Sequence, residues 1–126
     1  MSAKVVVIDD TPHVRAKVVE MLEIDGFTVV GQGGSGAEAI LVADERDPDV
    51  IVIDYRMPEM TGLEASRRIR NRRPNQSIIL YTAYLDHDLE VRAAAAGVTL
   101  CVDKVEGLNQ LERGIIELTR GINHSP

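Results

Sequence analysis

Five residues in this chain could act together on a charged substrate: the adjacent pair Asp9 and Asp10, then Asp54, Thr82 and Lys104, each following its own short apolar run. Carboxylates brought to one spot repel each other unless a cation sits between them. Hard oxygen donors with room for water suit Mg2+. A carboxylate is also a nucleophile towards phosphorus, giving an aspartyl phosphate. Phosphoryl transfer mainly needs positioning and neutralisation of the transferred oxygens. Mg2+, the Lys104 ammonium, the Thr82 hydroxyl and nearby backbone N–H groups would supply that.

Each residue alone has a plainer reading. Asp9, Asp10 and Asp54 could end strands as turn residues, Thr82 could be a structural hydroxyl, and Lys104 a solvated surface lysine. The case for chemistry rests on all five occurring at the same end of successive elements.

Those elements are legible as apolar runs: Val5 to Ile8, Thr28 to Val30, Val50 to Ile53, Ile78 to Leu80 and Val98 to Val102. They are largely β-branched and unbroken, the pattern of strands covered on both faces. Helical periodicity lies between them. Val14, Val18 and Leu22 recur every fourth residue, and Leu108, Leu111, Ile115, Leu118 and Ile122 alternate steps of three and four. Thr11 with Pro12 marks a helix start, and Ser35 with Glu38 and Thr61 with Glu64 fit capping boxes. Pro74 and Gly97 mark helix ends. A strand–helix unit repeated five times implies an α/β fold with a parallel sheet between helical layers. In such sheets ligands bind at the carboxyl ends of the strands, where strand order reverses.

The bulk numbers agree. With 126 residues, 44% of them hydrophobic and 27% charged, the chain fits one folded domain, 1–126, with a core from about 4 to 121 and a loose tail after Arg120. A formal charge of -6 disfavours direct binding to nucleic acid or anionic lipid. The single cysteine, Cys101, excludes an intrachain disulfide. The apolar run after Lys4 is too short for a signal peptide or membrane span, so the expected location is cytoplasmic.

Taken together, the chain resembles the receiver domains of two-component response regulators from Lys4 to about Gly121. The resemblance rests on Asp9-Asp10, the run Asp54-Tyr55-Arg56-Met57-Pro58-Glu59-Met60-Thr61-Gly62, the pair Thr82-Ala83, and Lys104. It implies a flavodoxin-like (βα)5 three-layer sandwich with strand order 2-1-3-4-5, the arrangement for which chemotaxis receivers are a standing example. It implies Asp54 as phosphoacceptor, with Mg2+ held by Asp9, Asp10, Asp54 and the backbone carbonyl of Arg56. Thr82 and Lys104 would contact the phosphoryl oxygens. The implied donor is a sensor histidine kinase or phosphotransfer protein, and the domain would catalyse its own phosphorylation and slower hydrolysis without being a dedicated enzyme. A homodimer is one form the phosphorylated state can take. The downstream effector is unknown; Val29-Val30-Gly31 and the surroundings of Lys104 look closest to receivers that precede a helix-turn-helix output domain.

Two departures stand out. Val105 follows Lys104 where receivers often have proline, so a cis bond is not expected there. Cys101 stands where receivers usually carry the aromatic residue that acts as a rotamer switch.

Rival readings make their own demands. Gly31-Gln32-Gly33-Gly34-Ser35-Gly36 fits the dinucleotide fingerprint G-x-G-x-x-G, but it leaves Asp10, Thr82 and Lys104 without a role, and a tight turn before Ser35 explains the glycines. A dedicated aspartyl-phosphate phosphatase would place its carboxylates as Asp-x-Asp after the first strand. A degenerate receiver would lack part of the set. The arginine run Arg67, Arg68, Arg70, Arg72 and Arg73 reads as a solvated face with cations at a helix C-terminus, His13 as a surface histidine, and Cys101 as a small buried hydrophobe.

Overall fold

The structure is a computed structural model, and it describes residues 2–120. The strands are β1 (Lys4–Ile8), β2 (Thr28–Gly33), β3 (Val50–Ile53), β4 (Ser77–Thr82) and β5 (Leu100–Asp103). The helices are α1 (Pro12–Ile24), α2 (Gly36–Arg46), α3 (Gly62–Arg72), α4 (His87–Ala95) and α5 (Leu108–Thr119), with a 3-10 turn over Lys104–Glu106. The sheet is parallel with order β2-β1-β3-β4-β5. The fold is therefore the expected flavodoxin-like one.

Both faces of the strands are apolar because both are covered. Val6, Ile8, Ile51, Ile53, Ile78 and Leu80 face a core completed by α2, α3 and α4. Their neighbours Val5, Val7, Val50, Val52, Ile79 and Tyr81 face a second core completed by α1 and α5. Alternate side chains go to opposite faces, so only an unbroken apolar run satisfies both. The α5 stripe behaves as read: Leu111 and Ile115 are fully buried, and Leu108 and Leu118 pack beside them. Ile122 and the expected loose tail fall outside the described residues.

Four local expectations change. First, β2 continues to Gly33, so Gly31 and Gly33 are strand residues rather than parts of a tight turn. A Cβ at Gly31 would lie 2.6 Å from Val42 Cγ1, and one at Gly33 would lie 2.9 Å from Glu38 Cβ. The glycines let α2 lie close on the strand. Second, the fifth apolar run begins two residues before β5. Val98 donates to Ala93 O and Gly97 to Ala94 O, with Gly97 at φ 92°, which closes α4 as a Schellman motif. The Val98 amide is thereby spent on the helix. Third, Thr11 occupies the N-cap position of α1, but its side chain makes no capping bond. Fourth, the Ser35 box is redirected: Ser35 Oγ accepts from Glu38 N–H, while the Glu38 carboxylate accepts from Gly34 N–H at 2.8 Å. Thr61 Oγ1 accepts from Glu64 N–H, one half of the box expected there.

Candidate functional site

The carboxyl ends of β1, β3 and β4 meet at the middle of the sheet. Asp9 directly follows β1, and its N–H donates to Gly33 O on β2 at 3.0 Å. Asp54 follows β3 and donates to Ile8 O at 3.0 Å, so the two aspartates are set side by side by the ladder itself. Oxygens of Asp9, Asp10 and Asp54 lie within 4.8 Å of one another. Asp9 is buried, Asp54 half-buried and Asp10 exposed, which leaves the cluster open on the Asp10 side.

Lys104 enters from the turn after β5. Its Nζ donates to Asp9 Oδ2 at 2.8 Å and to Asp54 Oδ2 at 3.1 Å. The remaining oxygens are held by backbone: Asp9 Oδ1 accepts from Thr11 N–H at 2.9 Å, and Asp54 Oδ1 from Tyr55 N–H at 2.7 Å. The turn that aims Lys104 is closed by Asp103, whose Oδ1 accepts from Val105 N–H at 2.9 Å. Asp103 therefore ends a strand as a cap and lies outside the carboxylate cluster. Among the described residues no peptide bond is cis, the one after Lys104 included.

Burial pushes the Asp54 carboxyl above the usual range, and Lys104 opposes it. Lys104 is itself held above its ordinary value: its bonds and charge contacts with Asp9 and Asp54 outweigh its burial. With one ammonium among three carboxylates, the pocket stays strongly negative. The donors are all hard oxygens. An ion with metal–oxygen distances of about 2.1 Å spans oxygens up to about 4.2 Å apart, close to the spacing present. The residues fit Mg2+.

Thr82 is the last residue of β4, buried, and pairs in register with Asp103. Since Ile53 pairs with Leu80, Thr82 stands one residue beyond the level of Asp54 on the adjoining strand. Arg56 is exposed beside the cluster. Its guanidinium lies 5.0 Å from the centre of the Tyr84 ring. A cavity of about 440 Å3 opens next to it, lined by Asp10, Tyr55, Arg56, Met57, Pro58 and Thr61.

Two residues that contact the backbone of this site carry no role in the sequence analysis. Gly62, at the start of α3, donates to Tyr55 O at 2.8 Å. A Cβ there would sit 2.1 Å from the carbonyl oxygen of Asp54. Its place in the run from Asp54 to Gly62 was the signal. Arg15, on α1, donates to the carbonyl of Asp9 at 2.7 Å, and nothing in its sequence setting marks it.

Other features find structural uses. Gly34 N–H, which a dinucleotide phosphate would need, is taken by Glu38. Of the arginine run, Arg67 and Arg68 are exposed, but Arg70 donates to Pro74 O and Gly97 O, and Arg72 and Arg73 pair with Asp44 and Asp47. The run is more than a solvated face. Cys101 is half-buried rather than buried, and burial together with Glu90 pushes its thiol up, away from reactivity. His13 is exposed, as read. Among the described residues no helix is long and apolar enough to cross a membrane.

Comparison with known proteins agrees with this geometry. Residues 5–116 match the family model described as the response regulator receiver domain. The chain is 36% identical over 113 residues to the response regulator GacA of Pseudomonas protegens, covering 89% of this chain and 53% of that protein. It is 32% identical over 108 residues to the transcriptional regulatory protein PdtaR of Mycobacterium tuberculosis, covering 86% and 52%. The chain thus spans about half the length of these curated relatives. Among solved structures, a LuxR-family two-component response regulator from Aurantimonas superposes with a TM-score of 0.91 at 28% identity, over 96% of this chain and 87% of that one.

Proposed function

The chain belongs to the response regulator receiver domain family of two-component systems, and on that premise we propose that it is a phosphorylatable switch that takes a phosphoryl group onto Asp54. The observation that carries the proposal is the meeting of Asp9, Asp10 and Asp54 within 4.8 Å, with Lys104 touching two of them. Burial makes the Asp54 carboxylate more basic, hence a better nucleophile, and both its oxygens are oriented by hydrogen bonds.

Asp9, Asp10, Asp54 and the Arg56 carbonyl would hold Mg2+, which would neutralise phosphoryl oxygens when bound. Lys104 would move from the carboxylates to a phosphoryl oxygen, and Thr82 would donate to another. The negative charge left by three carboxylates against one ammonium makes cation binding favourable before any phosphoryl group arrives.

The donor in this reading is a sensor histidine kinase or phosphotransfer protein, in the cytoplasm, and the single domain 1–126 is the receiving unit. Its turnover is self-catalysed phosphorylation and slow hydrolysis. The output passes through an effector outside these residues, transcriptional in kind, as in the longer relative PdtaR, a transcriptional regulatory protein. Dimerisation on phosphorylation is part of this proposal; direct nucleic-acid binding by this acidic domain is not.

Intact-mass measurement after incubation with acetyl phosphate tests the assignment. Wild type gains one phosphoryl group with Mg2+ and none after chelation, and Asp54→Asn gains none. Equal labelling of the two proteins overturns it.

A further inference from the structure

Arg15 belongs to none of the roles above, yet its side chain reaches from α1 back to the loop that carries the acidic pair. Its Nη1 donates to the carbonyl oxygen of Asp9 at 2.7 Å, and its Nε donates to Gln32 Oε1 on β2 at 3.2 Å. The guanidinium also lies against Gly34, where a Cβ would come within 3.0 Å of Nη1. One planar group thus ties the end of β1 to the neighbouring strand.

That carbonyl has a particular importance. The C=O of Asp9 and the N–H of Asp10 share one rigid peptide plane. Fixing the oxygen fixes the direction in which the chain leaves for Asp10. Asp10 is exposed, and Thr11 gives the helix start no side-chain cap. Asp9 itself is held on every side: its N–H by Gly33 O, Oδ1 by Thr11 N–H, Oδ2 by Lys104, and its carbonyl by Arg15.

We infer that Arg15 is a positioning residue for the cation site, holding the Asp9–Asp10 peptide so that both carboxylates face one ion. The inference rests on reading the aspartate cluster as a Mg2+ site. It makes a prediction opposite in sign to simple electrostatics. A guanidinium beside a cation site repels the cation, so neutralising it should tighten binding. Loss of an outer partner that orients a ligand instead weakens metal affinity, typically about 10–100-fold.

The experiment is a calorimetric Mg2+ titration of wild type, Arg15→Gln and Arg15→Lys, together with amide hydrogen exchange in the metal-free proteins. Arg15→Gln is expected to weaken Mg2+ about tenfold. Arg15→Lys keeps the charge but loses the rigid fork, and is expected to restore only part of the affinity. Exchange at the Asp10 and Thr11 amides rises while that of β4 stays as in wild type. Unchanged or tighter Mg2+ binding by Arg15→Gln overturns the inference, as does full affinity in Arg15→Lys. So does faster exchange throughout the sheet, which would mark a general loss of stability. Should Arg15→Gln not fold, Gln32→Ala, which cuts only the lateral tie, must still weaken Mg2+ by a smaller factor; wild-type affinity in that variant and in Arg15→Lys overturns the inference. Failure of wild type itself to bind Mg2+ removes the proposed function beneath it. Wild-type binding with unaffected variants removes this inference alone.

Discussion

The guanidinium of Arg56 stacks over the ring of Tyr84 at 5.0 Å, joining the loop after β3 to the loop after β4 beside the aspartate cluster. Both residues are exposed, so the stack is a cover over one side of the site rather than part of the core. An exposed cation–π pair holds about 0.5–1 kcal/mol, or roughly two- to fivefold in the population of the covered state. On the proposed function, water that reaches Asp54 from this side would have to pass the stack. Arg56→Ala with Tyr84→Ala is therefore expected to speed loss of the phosphoryl group by roughly two- to fivefold. The decay of the phosphorylated mass after donor removal checks this, and an unchanged decay rate refutes the cover.

Gly62 supplies a sharper test of how the site is built. Glycine in a helix is normally worse than alanine by about 1 kcal/mol, so Gly62→Ala would stabilise an ordinary helix. Here the new Cβ meets the Asp54 carbonyl at 2.1 Å, a backbone atom that cannot swing aside. Overpacking of this kind costs about 1–3 kcal/mol. Denaturant unfolding of Gly62→Ala should show a lower midpoint, and acetyl phosphate labelling of Asp54 should fall with it. A midpoint at or above wild type would contradict the close approach.

Far from the site, Asp25 at the C-cap of α1 neighbours Glu112 of α5. Burial and the neighbouring Asp25 carboxyl push Glu112 up to about 7, and Glu112 Oε2 is closed off from solvent. A carboxyl whose pKa is higher folded than unfolded adds stability as long as it stays protonated in the fold. That contribution is full below the ordinary glutamate value and is lost as pH rises towards about 7. Stability attributable to Glu112 therefore falls between pH values near 4.5 and 7. Glu112→Gln is expected to flatten the profile of unfolding midpoint against pH over this window, with the variant more stable than wild type at its upper end. Parallel profiles for the two proteins would rule this out.

Signal output has to work with Cys101 in place of a bulky aromatic. The structure offers another connection. Tyr55 N–H donates to Asp54, and the Tyr55 hydroxyl accepts from Arg92 on α4 at 3.3 Å, with the Arg92 guanidinium 5.6 Å from the ring. Adding beryllofluoride with Mg2+ is expected to raise hydrogen-exchange protection from Thr82 to Gly97. Cys101→Ala should leave that response nearly intact, whereas Arg92→Ala should reduce it. Loss of the response in Cys101→Ala would place the output at the thiol instead.

Much of this was legible in the residues. The strand–helix alternation and the arrival of the aspartates and Lys104 at one sheet edge follow from unbroken apolar runs that each end in a polar group, because a doubly covered strand can only be polar where it leaves the core. The strand order followed only from the family resemblance. What stayed hidden has a common physical origin. The close approaches at Gly31, Gly33 and Gly62 depend on how near a helix comes to a strand, which periodicity does not encode. The end of α4 depends on an amide choosing a helix carbonyl over a ladder. Arg15 acts through one backbone oxygen six residues earlier, and no side-chain pattern records a partner of that kind.

The Schellman end of α4 is also where Arg70 of α3 lies, donating to Gly97 O and packing over Gly97. The helix is thus fastened at its C-terminus, while its N-terminus, capped by Asp86, leads from the exposed loop that holds Tyr84. A rod pinned at one end is a lever with its fulcrum at Gly97. Over nine residues it is about 13 Å long, so a tilt of about 10° carries its free end roughly 2 Å. A shift passed from Asp54 through Tyr55 to Arg92, which lies between the fulcrum and the free end, would therefore be larger at His87 than where it enters the helix.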